Sequence, residues 1–250
     1  MLRFVMMLHA SIIMTALNIL AEPAWESLPD QGDIKRYRQQ IEGSGILSYR
    51  GVGIVNAKIP KIIALLADAN NLPFWVFKCN YGELLEKNFE TGDLDREFSE
   101  YYEVLYGTLS LPWPLKNRDF AMRANLLFMP TPKNRLPVVR IFAYAIQNKK
   151  RPQSENYVRM ELMTVIFDLT PAAGDENTTN VDFSIRFDPG GAIPEWATNF
   201  ILRTVPGMAI EKLREMVTRE DYDHDFELMV EHFYRKRQIL QRSETDGNPG

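Results

Sequence analysis

Between Asp188 and Pro194 the apolar pattern of this chain changes period. Upstream, apolar residues alternate through stretches that read as strands over 78–89, 95–107, 119–129, 137–147, 156–169 and 179–188. The separators carry turn chemistry: Thr91-Gly92-Asp93, Pro112-Trp113-Pro114, Pro130-Thr131-Pro132, Asn148 to Pro152, and Pro171 to Asn180. Such hairpin-like spacing implies an antiparallel sheet. Downstream, Trp196, Phe200, Val205, Met208, Ala209, Leu213 and Met216 recur at helical steps between charged residues, which predicts an amphipathic helix over 194–217. Pro206 falls inside it and predicts a kink near Val205. The class is therefore α+β, with a curved antiparallel sheet around a long C-terminal helix. That geometry is a container, a core if side chains fill it and a pocket if they do not. The alternation alone leaves both open.

The N-terminal part completes the sheet. Trp25 to Leu28 reads as a helical turn ended by Pro29, Ile34 to Ile41 as an edge strand, and 46–55 as a strand. Ala57 to Ala69 switches to helical spacing, with Pro60 suited to its first turn. A short segment follows at 74–77. Asp221 to Gln241 predicts a further helix with Phe226, Met229, Val230 and Phe233 on one face, and 242–250 reads as a disordered tail. Arg3, the apolar run Phe4 to Leu20 and the small Ala21 predict an export signal over 1–21, hence a periplasmic or secreted protein. Ile19 is a weak residue for the third position before the cut, so an uncleaved membrane anchor is the competing reading. The domain then spans 22–220, and 221–250 holds the last helix and tail.

Composition excludes some functions. With 29 basic and 33 acidic residues, net charge −4, the chain lacks the excess cations of a nucleic-acid binder. Its single cysteine, Cys79, forms no intrachain disulfide and reads as a small buried residue. Asp221-Tyr222-Asp223-His224-Asp225 lacks the glycine and distal glutamate of a calcium loop and the spacing of a zinc site, and reads as a solvated acidic helix start. Lys149-Lys150-Arg151 reads as a solvated basic turn. No phosphate-binding glycine loop or nucleophile motif is present. No cofactor and no metal is expected.

Three segments carry a resemblance. They are Tyr49-Arg50-Gly51-Val52-Gly53, followed by the first helix and a Pro-x-Trp at 73–75; Leu111-Pro112-Trp113-Pro114-Leu115-Lys116-Asn117-Arg118-Asp119-Phe120; and Phe187-Asp188-Pro189-Gly190-Gly191-Ala192-Ile193-Pro194-Glu195-Trp196 with Asn199. Over about residues 25 to 220 the chain resembles the START (steroidogenic acute regulatory-related lipid transfer) family. The resemblance implies a helix-grip fold whose tunnel takes one sterol, phospholipid, ceramide or other apolar molecule. It also implies a lid made of Leu109 to Asn117 and Ala192 to Val217, and a charged pair in the cavity. Glu103 fits the acidic position, but the basic position is Ala124; Arg123, one residue early, falls on the opposite face unless a bulge intervenes.

The expected ligand-binding set is Glu103, Trp113, Arg118, Phe120, Trp196, Phe200 and Val205. Trp113, a stiff loop tip between two prolines, plugs the tunnel mouth or touches a membrane surface, with capping of the core as the alternative. Arg118-Asp119 reads as a buried charge pair that shapes the turn. The expected protein is a monomeric carrier or sensor of a lipid or hydrophobic small molecule, in transient contact with a membrane. Its rivals are an enzyme of a related cup fold, using Glu103 with Tyr101 or Tyr106, and a scaffold whose pocket is filled.

Overall fold

The computed structural model describes residues 24–40, 47–90, 101–129, 138–173, 175–191 and 193–246, with backbone alone at 195–198, 200–202 and 240–246. The predicted leader, 1–21, lies outside the described residues. The strands are β1 (Glu26–Gln31), β2 (Ile34–Gln40), β3 (Leu47–Val55), β4 (Cys79–Lys87), β5 (Tyr102–Leu109), β6 (Arg118–Met129), β7 (Val138–Ala145), β8 (Val158–Arg159), β9 (Leu162–Ala172) and β10 (Asp175–Asp188). Their order across the sheet is β1-β2-β3-β10-β9-β7-β6-β5-β4, and each of these neighbours pairs antiparallel. The two-residue β8 runs parallel beside the start of β6. Helices α1 (Ile59–Ala67) and α2 (Leu72–Trp75) connect β3 to β4, and α3 (Glu195–Met216) and α4 (His224–Asp246) close the chain.

β10 shows why the sheet is two-faced. Val181, Phe183, Ile185 and Phe187 are buried, and the residues between them are partly exposed, as a period of two requires. Phe183 lies opposite Phe167 of β9, with ring centroids 4.6 Å apart. On the other face Asp182 lies directly opposite Asp168, a like-charge pair that destabilises a sheet unless compensated. Arg50 forks onto Asp182, and Arg140 onto Asp168 at 2.6 and 2.7 Å, so the row alternates in sign.

α3 lies close on β3 because Gly51 and Gly53 put no side chains in its way. A Cβ placed on Gly51 would stand 3.0 Å from the Cβ of Pro206, and one on Gly53 would stand 3.1 Å from Ile210. The helix runs through Pro206, whose missing donor is tolerated where the ring is the contact surface. α4 starts where Asp223 Oδ1 accepts from the backbone N–H of Phe226 at 2.9 Å, an N-cap contact. Its buried face, Phe226, Met229, Val230, Phe233 and Tyr234, follows helical spacing and packs on Phe89, Tyr101 and Phe128.

Several expectations need correction. The segment read as a helical turn at 25–28 is part of β1, so β2 is an interior strand and β1 the edge. Pairing with β2 supplies the strand, and Pro29 sits where the register is irregular, so its missing N–H breaks no ladder bond. The strand read over 156–169 is two, because Val158 and Met160 donate to Asn117 and Asp119 before the chain turns into β9. β10 begins at Asp175, across an irregularity before Thr179, and α4 continues to Asp246. Cys79 is half-buried, with its thiol on the Tyr81 carbonyl at 3.2 Å. The basic turn is engaged rather than solvated: Lys150 donates to Leu85 O at 2.5 Å and Arg151 pairs with Glu83. The start of the strand read at 95–107 and the end of the tail lie outside the described residues.

Candidate functional site

An apolar cavity lies between the concave face of the sheet and the middle of α3. Phe120 and Met122 of β6, Met163 and Val165 of β9, and Phe183, Ile185 and Phe187 of β10 form its floor; Ile193, Val205 and Ala209 form its roof; Leu72 and Trp75 of α2 close one side. It holds about 790 Å3 of space free of atoms, opening included, but only about 60 Å3 is reachable by the centre of a water molecule. One water needs roughly 10–15 Å3 on that measure. The cavity as it stands therefore takes a few waters or a short run of methylene groups. It is narrower than the expected tunnel because aromatic and methionine side chains reach across it. Methionine is unbranched and repacks readily, so Met122, Met160 and Met163 form an adaptable part of the wall.

Arg118 lines the same cavity beside the 110–117 loop and is 2% exposed. Its Nε donates to Pro189 O at 3.1 Å, its Nη2 to Gly190 O at 2.9 Å, and its Nη1 to Lys116 O. Burial lowers its pKa. It thus ties the loop to the turn from which α3 departs. That turn needs its glycines, because Gly190 and Gly191 have φ of 63° and 67°, the left-handed region closed to most side chains. Arg118 and Asp119 do not form the pair read from the sequence. Consecutive strand residues face opposite sides, and Asp119 pairs on the convex side with Arg159 through two 2.8 Å bonds while accepting from Tyr106 at 3.1 Å. Burial, then the Asp119 charge, push the Tyr106 phenol up to about 12.

Of the expected set, Arg118, Phe120 and Val205 meet in this cavity. Trp113 does not: it is 91% exposed, so it neither caps the core nor plugs the cavity. The side chains of Trp196 and Phe200 lie outside the described residues, although their backbone belongs to α3. Glu103 lies in a second pocket at the other end of the cup, under α1 and α4, with Ile63, Phe89, Tyr101, Leu105, Leu126 and Phe226. This pocket offers about 50 Å3 on the same measure. Beyond Glu103 opens a polar cleft of about 420 Å3 that carries Asp68, Lys87 and Asp223. Burial raises the Glu103 carboxyl to about 8, against the pull of Lys87 and with help from Asp68 and Asp223. Ala124 lies directly across from Glu103, and Arg123 stacks on Tyr102 at 3.6 Å on the opposite face without a bulge. Tyr106 is on that opposite face too, so of the two tyrosines read as partners of Glu103, Tyr101 shares its pocket and Tyr106 does not.

Residues missed by the sequence reading include Trp75, Met160, Met163, Phe183, Ile185 and Phe187. The alternation of β10 carried the signal for the last three. Among the described residues no group of three or more His, Cys, Asp or Glu converges to hold a metal, and no helix is long and apolar enough to cross a membrane.

The sequence model of the START domain matches residues 13–221, from within the predicted leader through α3. The chain belongs to the START domain family. This START domain is 26% identical over 207 residues to an uncharacterized protein of Pseudomonas aeruginosa, covering 83% of this chain and 93% of that one. It is 26% identical over 196 residues to the rat phosphatidylcholine transfer protein, covering 77% and 82%. Among solved structures, a STAR-related lipid transfer protein of Xanthomonas axonopodis superposes with a TM-score of 0.64 at 24% identity, covering 78% of this chain and 99% of that one. The human StAR-related lipid transfer protein 5 gives 0.61 at 14% identity, covering 86% and 96%. The helix-grip fold is thus that of the START domain. The matched segment ends before α4.

Proposed function

We propose that this START domain holds one lipid in the cavity between sheet and α3 and carries it between membranes. The observation that carries the reading is the apolar, helix-roofed cavity, whose floor comes from three strands and whose roof follows a turn of two left-handed glycines. Family membership and the phosphatidylcholine transfer relative support it. The 60 Å3 now accessible requires that α3 swing outward about Gly190-Gly191 for a whole lipid to enter, a lid motion. Each buried CH2 gains about 0.8 kcal/mol, so a dozen or so yield roughly 10 kcal/mol against the cost of opening. The exposed Trp113 is suited to touch the bilayer while the lid opens. The protein acts as a monomer and, on the leader read at its N-terminus, outside the cytoplasm. Carriage needs no acid–base pair.

The test is transfer of fluorescent phosphatidylcholine between vesicles. Ala209→Trp fills the roof of the cavity and is expected to lower the transfer rate at least tenfold while the protein stays folded by circular dichroism. Unchanged transfer by the folded variant would place the lipid elsewhere.

A further inference from the structure

The arginines of this chain are treated unequally. Arg50, Arg140, Arg151, Arg159 and Arg214 each reach a carboxylate. Arg159, as buried as Arg118, has the fully enclosed carboxylate of Asp119. Of the two fully buried arginines, Arg118 and Arg159, only Arg118 has no carboxylate partner among the described residues. Its three hydrogen bonds all go to backbone carbonyls, and they leave one hydrogen on each terminal nitrogen. Its ionisation is shifted by burial and by no neighbouring charge. Carbonyl dipoles offset only part of the cost of taking a cation out of water. The wall beyond it is apolar: Phe120, Met122, Ile185 and Phe187.

We propose that Arg118 is the head-group site of the cavity and that the ligand is an amphiphile with an anionic oxygen, a carboxylate or a phosphate. The acyl chain lies along the floor and the anion takes the two free N–H groups, completing a charge pair that the protein itself leaves open. A guanidinium suits either anion, since its fork matches both. The same group holds Pro189 and Gly190, so the anion docks against the turn from which α3 departs. This rests on the carrier reading and adds the class of ligand to it.

The test compares matched pairs by displacement of a fluorescent fatty acid analogue from the full chain. Oleate is set against oleyl alcohol, and dioleoyl phosphatidic acid against dioleoylglycerol. A charge-assisted hydrogen bond in a dry site is worth about tenfold or more in affinity. At least tenfold tighter binding of the anion is expected in one pair, and that pair identifies the head as carboxylate or phosphate. In Arg118→Met the ratio of anion to neutral affinity within each pair should fall to near one, whatever the loss of its loop contacts does to both affinities. Arg118→Lys, which keeps the charge and loses the fork, should retain part of the preference. Equal binding of anion and neutral partner by the wild-type protein in both pairs overturns the proposal and leaves the carrier reading standing. Absence of binding by all four lipids overturns the carrier reading itself. The wild-type comparison decides the matter even if the methionine variant does not fold.

Discussion

Replacing Glu103 with glutamine should leave stability near pH 5 almost unchanged and raise it in alkaline solution. The carboxyl is raised from 4.5 to about 8 in the folded chain, mainly by burial between the α1–α4 pocket and the sheet. Below 4.5 it is protonated in both folded and unfolded states and contributes no pH dependence. Between 4.5 and 8 the folded state holds a proton that the unfolded state has released, so stability falls as pH rises across that window, and above 8 the penalty stays constant. At about 1.4 kcal/mol per unit, the window amounts to a loss of at most about 3–5 kcal/mol, lessened by solvent in the polar cleft that Glu103 also lines. Glutamine is isosteric and neutral throughout, so the variant escapes the loss. Urea denaturation of both proteins at pH 5, 7 and 9 reads the effect directly. The midpoints should nearly coincide at pH 5 and separate by pH 9, with the variant more stable. Curves that stay parallel across the range would refute the assignment of a half-buried, proton-holding carboxyl.

Two further outcomes follow from the same geometry. Asp119→Asn removes the partner of Arg159, whose Nη1 already lacks a protein acceptor; leaving that cation uncompensated should cost about 3–5 kcal/mol, read as a lowered urea midpoint. Trp113→Ala removes an exposed side chain, so the melting temperature should stay within about a degree while sedimentation with phosphatidylcholine vesicles weakens.

How much of this was legible depended on how local the cause was. The long helix, the change of period at 188–194 and the inward set of β10 follow from local pattern, and the structure places them there. The glycines of the Tyr49-to-Gly53 motif were visible, but their purpose, letting Pro206 and Ile210 approach, needed α3 in position. Arg118 and Asp119 were misread as a pair although strand alternation alone separates them; the true partner, Arg159, lies on a strand of two residues that no periodicity can announce. β1 was missed because its strand is imposed by β2 and not by its own pattern, which contains Pro29. Glu103 is expected in the cavity under the long helix and lies in a separate pocket, since which helix covers which end of a bent sheet is a long-range matter. Its companions Phe89 and Phe226 are brought together only by the packing of α4.

Native mass spectrometry on the full chain mixed with lipid tests the cup-and-lid account most directly. It should detect one lipid per chain, and the bound species should disappear in Ala209→Trp, whose side chain occupies the roof. No bound lipid on the wild-type protein, or equal loading of the filled variant, would contradict a carrier built around this cavity.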